Sequence, residues 1–119
     1  MPVLDHANSI QCTNIVRHES MRLRRLEKRL NEVRDEATFL GFLAALAADR
    51  FDEVKKEKRK PSPPYCPGAN GWENGTIENF LEAAVRWADD WKRSSGRYTK
   101  PRNAWKRCAE IIYMGKHYE

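Results

Sequence analysis

The sequence predicts an all-α protein, a small bundle of three to four helices that begins with a long coiled-coil-like helix. Apolar residues recur at helical spacing in both halves of the chain, and no segment shows the alternating apolar and polar pattern of a strand. At 119 residues, 40% of them hydrophobic, the chain has the size and composition of one folded domain. We therefore treat residues 1–119 as a single helical domain.

The first predicted helix covers residues 10–34. Its apolar residues are separated by alternating steps of three and four, as at the a and d positions of a coiled coil. They include Leu23, Leu26, Leu30 and Val33. A row of this kind needs a partner, so we expect these four residues to form the seam of a homodimer. The alternative is that the row packs on other helices of the same chain.

Residues 36–119 are predicted to form the helical core. Asp35 favours a short break and a new helix start, after which apolar residues recur on one face until the helix fades near residues 49–53. Residues 54–71 are rich in lysine and proline and are predicted to form a long loop. Thr76 and Asn103 are the expected N-caps of the last two helices.

The tryptophans of this half have different expected roles. Trp87 and Trp91 recur at helical spacing and are expected in the core, as is Trp105 at the head of the last apolar face. Trp72 follows the loop and has no such periodic neighbours. It either fills a junction between helices or stands exposed as a contact for a partner.

Cysteine and histidine usage does not favour catalysis or metal binding. Cys12, Cys66 and Cys108 are widely spaced, which favours three free thiols and a reducing, cytoplasmic setting. No closely spaced Cys or His pairs provide a zinc ligand set, and no catalytic or phosphate-binding motif is present. We predict a protein that is not an enzyme and uses neither metal nor cofactor. No apolar run is long enough to cross a membrane.

Charge is unevenly distributed along the chain, whose formal net charge is +5. Residues 92–107 carry seven basic residues and no acid, whereas residues 72–90 carry five acids against a single Arg86. Such segregation is typical of an oriented binding surface. The candidate contact residues are Trp72, Arg93, Arg97, Tyr98, Lys100, Arg102, Lys106 and Arg107.

Two functions are compatible with these patterns. The first is a protein-binding module, in particular a stoichiometric inhibitor of bacterial or phage origin that acts on a defence-system component (anti-CRISPR-like) or on a toxin, as an immunity protein does. The second is a nucleic-acid-binding accessory protein. It would use residues 92–107, where Tyr98 lies among basic residues that suit phosphate contact and stacking. The segregated charge favours the protein-binding function.

One set of residues carries a family resemblance: Trp72-Glu73-Asn74, Phe80-Leu81-Glu82-Ala83, Trp87, Asp90, Trp105, Ala109, Ile112-Tyr113 and Tyr118-Glu119. With this pattern the chain resembles a family of small bacterial proteins known only as a domain of unknown function. The resemblance covers about residues 36–119 and leaves out the helix at residues 10–34. It implies a small helical fold and no particular activity.

Overall fold

A computed structural model of the chain describes residues 23–93 and 98–118, of which residues 91–93 are described by their backbone alone. These residues form four helices and no strand, so the predicted all-α class is confirmed. Helix α1 comprises the described residues 23–31. Helices α2, α3 and α4 span Glu36–Arg59, Ile77–Arg93 and Ala104–His117. None of the helices within the described residues could cross a lipid bilayer.

Helix α4 is the central element of the bundle. Helices α2 and α3 each pack on α4, and in the described part of the chain they do not pack on each other. Helix α3 approaches α4 closely at Gly115, where an added Cβ would lie 2.8 Å from the carbonyl oxygen of Phe80. Aromatic contacts join α2 to α4, with the rings of Phe42 and Tyr113 6.1 Å apart. This arrangement leaves a gap between α2 and α3 on one side of α4.

The leucine row of α1 packs inside the chain. Leu26 and Val33 belong to the same buried core cluster as Phe42 and Tyr113, and Leu30 packs against it. Because Leu26 and Val33 are already covered in the monomer, the predicted dimer seam through Leu23, Leu26, Leu30 and Val33 is wrong for these two residues. Leu23 and Leu30 are half-buried. Residues 10–22 of the predicted first helix lie outside the described residues.

The break between the first two helices is confirmed, although α2 is longer than predicted. Asp35 caps α2 because its carboxylate accepts the Thr38 amide at 2.9 Å, and the Asp35 amide donates to the Thr38 hydroxyl oxygen at 3.1 Å. The helix does not fade near residues 49–53 but continues to Arg59. Basic residues in its last turn favour this extension, because they interact well with the negative end of the helix dipole.

The remaining side chains follow the sequence predictions only in part. Trp87 is buried and Asn103 caps α4, as expected. Trp105 instead remains 39% exposed and packs at a tilt against Phe39, so its placement in the core is wrong. Cys108 is free and exposed, whereas Cys66 is disulfide-bonded, which corrects the expectation of three free thiols. The side chain of Trp91 lies outside the described residues.

Candidate binding surfaces

Carboxylates on one face of α2 hold the long loop against the bundle. Asp49, Glu53 and Glu57 follow one another at i, i+4 and i+8 and therefore lie on the same side of the helix. The Oε1 atom of Glu53 accepts hydrogen bonds from the backbone amides of Asn70 (2.9 Å) and Trp72 (3.2 Å). Burial raises the pKa of the Glu53 carboxyl, although these amides and Arg50 oppose the shift. The loop is thus tied to α2 by side-chain acceptors.

One turn further along α2, Glu57 fixes the start of the same loop. Its carboxylate accepts the backbone amides of Ser62 (2.7 Å) and Ala69 (2.8 Å), together with the Ser62 hydroxyl. Desolvation alone would raise the pKa of Glu57, but the bonds from Ser62 and Ala69 outweigh it and lower the pKa. A sequence rich in proline and lysine therefore has a defined path in the described structure.

Trp72 fills the junction between α2, the loop and α4. Its indole N–H donates to the Oδ2 atom of Asp49 at 2.8 Å, and the same oxygen accepts the ammonium of Lys116 at 2.8 Å. The cations of Lys116 and Arg50 lie 5.4 and 5.7 Å from a Trp72 ring centroid. Trp72 therefore fills a junction between helices and does not stand exposed, since only 8% of the residue is accessible to solvent.

The two residues after Trp72 bind the C-terminal end of α4. The amide of Glu73 donates to the Lys116 carbonyl at 3.0 Å. The Asn74 side chain donates to the carbonyls of Gly115 (2.9 Å) and Tyr118 (2.8 Å). These bonds satisfy carbonyl groups that the end of a helix leaves without intrahelical partners. The Trp-Glu-Asn segment is therefore a structural element that joins three parts of the bundle.

An apolar groove occupies the gap between α2 and α3. Its cavity measures about 510 Å³ and is lined by Leu43 and Ala47 from α2, by Phe80 and Leu81 from α3, and at its base by Ile112 from α4. Trp72 and the segment that follows it close one end of the groove. Trp72 and Asn74 of the buried network just described are thus also part of the lining of the groove.

Large apolar side chains remain exposed along both sides of this groove. On α3, Ile77 is 77% exposed, and Leu81 and Val85 follow at i+4 and i+8 with 56% and 61% exposure. On α2, Leu40 and Phe51 are exposed on the same side of the helix as Ala47, at helical spacing. Large exposed apolar patches are uncommon on a monomer and are typical of binding surfaces, which makes this region a candidate. We call the groove and these flanking residues the α2–α3 surface.

The basic residues predicted to bind a partner are divided between different environments. Lys100 and Arg102 are exposed in the connection before α4. Tyr98 and Arg107 instead form a cluster with Trp87, in which the Arg107 guanidinium lies 5.3 Å from the Trp87 ring centroid and donates to the Tyr98 hydroxyl at 3.1 Å. Lys106 is half-buried. The Arg93 side chain and the whole of Arg97 lie outside the described residues.

Sequence reasoning missed the α2–α3 surface. By helical spacing, Ile77 and Leu81 fall on the same apolar face of α3 as Phe80 and Trp87, which predicts that they lie in the core. The available signal was the width of that face, because Ile77, Leu81 and Val85 form a second row beside the buried row. In the described part of the chain, no group of three or more His, Cys, Asp or Glu residues is arranged to hold a metal ion.

Comparison with known proteins identifies a family. Residues 35–119 match the family of unknown function DUF7660, which confirms that this part of the chain is a domain of unknown function and that the predicted start is correct to within one residue. The match covers well over half of the chain, and the chain therefore belongs to this family. No curated protein and no solved structure gives a significant match.

Proposed function

We propose that this member of the family is a non-catalytic protein-binding module that acts through the α2–α3 surface. The observation that carries the proposal is the apolar groove of about 510 Å³ between two helices that do not pack on each other. Burying Ile77, Leu81 and Val85 would remove three largely exposed aliphatic side chains from water. Each contributes on the order of 1.5–3 kcal/mol when it passes from full exposure to full burial, which would offset much of the cost of association.

The shape of the groove suits a single helix of the partner. Its two sides are helices and its base is a third helix, so a helix laid between α2 and α3 would contact α4 as well. Glu78 and Glu82 lie beside the apolar row of α3, both exposed. A complementary helix would therefore carry a row of apolar residues flanked by lysine or arginine.

As the biological form of this activity we propose stoichiometric inhibition of a bacterial or phage protein, such as a defence-system component or a toxin. An inhibitor of this kind needs only a binding surface and no reactive groups of its own. The uneven charge along the chain supports the proposal, since acidic residues are concentrated between residues 72 and 90 and basic residues between 92 and 107. Complementary potentials speed association and exclude wrong partners.

Nucleic-acid binding through residues 92–107 has less support. That function would need Tyr98 as a stacking surface for a base. Tyr98 is half-buried. Its ring lies edge-on to Trp87, with centroids 5.4 Å apart, and its hydroxyl is bonded to Glu110 and Arg107, so the ring does not project into solvent where successive bases could stack on it. Lys100 and Arg102 remain exposed and could contact phosphates, so this function is retained as an outcome of the test below.

The test is capture of partners from a lysate of the source organism with the wild-type chain and with Leu81→Glu, each with and without nuclease. A captured protein is then produced separately, and its affinity and its activity are measured with each variant. We expect one partner whose capture survives nuclease, whose affinity falls at least 100-fold with Leu81→Glu, and whose activity is blocked by the wild-type chain at a 1:1 ratio.

Tyr65→Glu is the matched control, because Tyr65 is 79% exposed but lies in the loop, away from the groove. It should leave the affinity unchanged. Equal losses with Leu81→Glu and Tyr65→Glu would contradict the assignment of the surface. Loss of every partner after nuclease treatment, with binding that weakens steeply as salt is added, would favour the nucleic-acid function instead.

A further inference from the structure

A second cavity lies on the other side of α4, between α1, α3 and α4. It measures about 250 Å³. Three aromatic side chains line it, together with two carboxylates and a thioether: Trp87, Tyr98, Tyr113, Glu27, Glu110 and Met114. No lysine or arginine is among the residues that line it in the described part of the chain. This concentration of negative charge is unexpected in a chain whose net charge is +5.

The two tyrosines of this cavity contact the carboxylates beside them. The Tyr98 hydroxyl donates to Glu110, and the Tyr113 hydroxyl donates to Glu27 at 3.5 Å. Trp87 and Tyr98 meet edge to face, with ring centroids 5.4 Å apart. Trp87 and Tyr113 are only 5% and 6% exposed, so little of either residue is open to solvent. The walls of the cavity are therefore preorganised. The carboxylates of Glu27 and Glu110 have four oxygens between them, which can accept more hydrogen bonds than the two from the tyrosines.

Aromatic faces next to carboxylates are the chemistry that recognises an organic cation. The ring quadrupole attracts positive charge, and a cation that has been desolvated gains most from it. Arg107 demonstrates this attraction within the chain, since its guanidinium carbon lies 5.3 Å from the Trp87 centroid and 5.7 Å from the Tyr98 centroid. Arg107 is not among the residues that line the cavity, so a ligand would be an additional cation.

We propose that this cavity binds an alkylated ammonium group, with the rings of Trp87, Tyr98 and Tyr113 around the alkyl substituents and Glu27 and Glu110 balancing the charge. A trimethylammonium group fits within about 250 Å³ with its connecting chain pointing to solvent. Such a group occurs in free choline-like molecules and on methylated lysine side chains of proteins. The chemistry of recognition is the same for both sources, and the test separates them.

The experiment is a titration of the full-length, isotope-labelled chain followed by NMR, with the indole N–H of Trp87 and the methyl group of Met114 as reporters. The probes are choline, its neutral isostere 3,3-dimethylbutan-1-ol, and a short peptide that contains trimethyllysine. We expect saturable shifts at both reporters, with choline binding at least tenfold more tightly than the isostere. Tighter binding of the peptide than of choline would identify a methylated lysine of a protein as the ligand. Tighter binding of choline would identify a free small molecule.

Variants separate recognition from stability. Glu27→Gln lies at an exposed position, and Glu110→Gln keeps an acceptor for the Tyr98 hydroxyl. Each should weaken choline binding about tenfold without altering the spectrum of the rest of the chain. Glu82→Gln, an equal change of charge at an exposed position of α3 that does not line the cavity, should leave binding unchanged. Equal affinity for choline and the neutral isostere, no saturable shift, or equal effects of all three variants would overturn the proposal.

Discussion

The ammonium of Lys116 lies 2.8 Å from the Oδ2 atom of Asp49 in the interior of the bundle, where that oxygen also accepts the indole N–H of Trp72. Lys116 is 0% and Asp49 3% exposed. Two opposite charges so deeply buried are tolerated because each is paired and hydrogen-bonded. The pair joins α2 to the C-terminal end of α4 and so fixes the helix that forms the base of the groove.

Replacement of Lys116 should be strongly destabilising. Lys116→Met leaves the Asp49 carboxylate in the interior without its cation, which should lower the free energy of unfolding by about 3–5 kcal/mol. Urea denaturation followed by circular dichroism measures this loss. The matched control is Arg86→Met, because Arg86 and Glu82 form an exposed pair 4.0 Å apart. That change should cost less than about 0.5 kcal/mol, and similar costs for the two variants would show that the buried pair has no special role.

Two glycine-to-alanine changes should have opposite signs. At Gly68 an added Cβ would lie 2.2 Å from the Oε1 atom of Glu53. This is the oxygen that accepts the loop amides of Asn70 and Trp72, so the added carbon would collide with it. Gly68→Ala should therefore destabilise the chain by about 1–3 kcal/mol. At Gly41, within α2, nothing lies within 4 Å of the added atom. Gly41→Ala should stabilise by about 0.5–1 kcal/mol through helix propensity. Thermal denaturation of both variants checks the prediction, which fails if the two midpoints shift in the same direction.

Stability should depend on the titration of His117. Burial of the imidazole lowers its pKa to about 4, and the Lys116 ammonium adds to this shift while Asp49 opposes it. In the unfolded chain the group titrates near pH 6.5, so between these values the unfolded state binds more protons than the folded state. Stability is therefore retained above pH 6.5 and lost as the pH falls toward 4, by at most about 3 kcal/mol.

The measurement for His117 is the free energy of unfolding by urea at several values between pH 7 and pH 5, above the range in which most carboxylates titrate. His117→Gln should flatten the dependence in this interval. The control is the titration of the His117 imidazole in the folded wild-type chain, followed by NMR, whose midpoint should lie near pH 4. An equally steep slope in His117→Gln would assign the effect to other groups.

The leucine row of α1 should contribute to the stability of the monomer. Leu26 is 4% exposed within a single chain, so Leu26→Ala should lower the free energy of unfolding by about 2–4 kcal/mol. Because the row is covered by the chain itself, light scattering should give the same molar mass for the wild-type chain and for Leu26→Ala. A halving of the mass in Leu26→Ala would show instead that the row forms an interface between two copies.

Capping residues and helical periodicity were sufficient to predict the helices. They were not sufficient to predict which apolar faces are buried in the bundle and which are exposed. Asp35 and Asn103 were recognised as caps because the bonds that a cap makes are to residues three positions away. The extension of α2 to Arg59 was missed because its last turns are stabilised by the loop. Glu53 and Glu57 bind amides that follow 5 to 19 positions later, and periodicity within the helix carries no trace of these bonds.

The candidate sites were harder to predict for the same reason. Trp72 has its partners Asp49 and Lys116 at separations of 23 and 44 residues, so its burial could not be read from its neighbours in sequence. Ile77 and Leu81 are typical core residues by composition. They are exposed because α2 packs on α4 and not on α3, which is a property of the tertiary arrangement.

The most direct test of the proposed binding surface is site-specific photocrosslinking in living cells of the source organism. A benzophenone side chain is placed at Leu81, in the groove, and in a separate protein at Tyr65, which is exposed in the loop. We predict one dominant crosslinked protein at Leu81, attached through a segment with helical periodicity, and none of that product at Tyr65. The same products at both positions, or none at Leu81, would contradict the assignment of the α2–α3 surface as the site where this protein binds its partner.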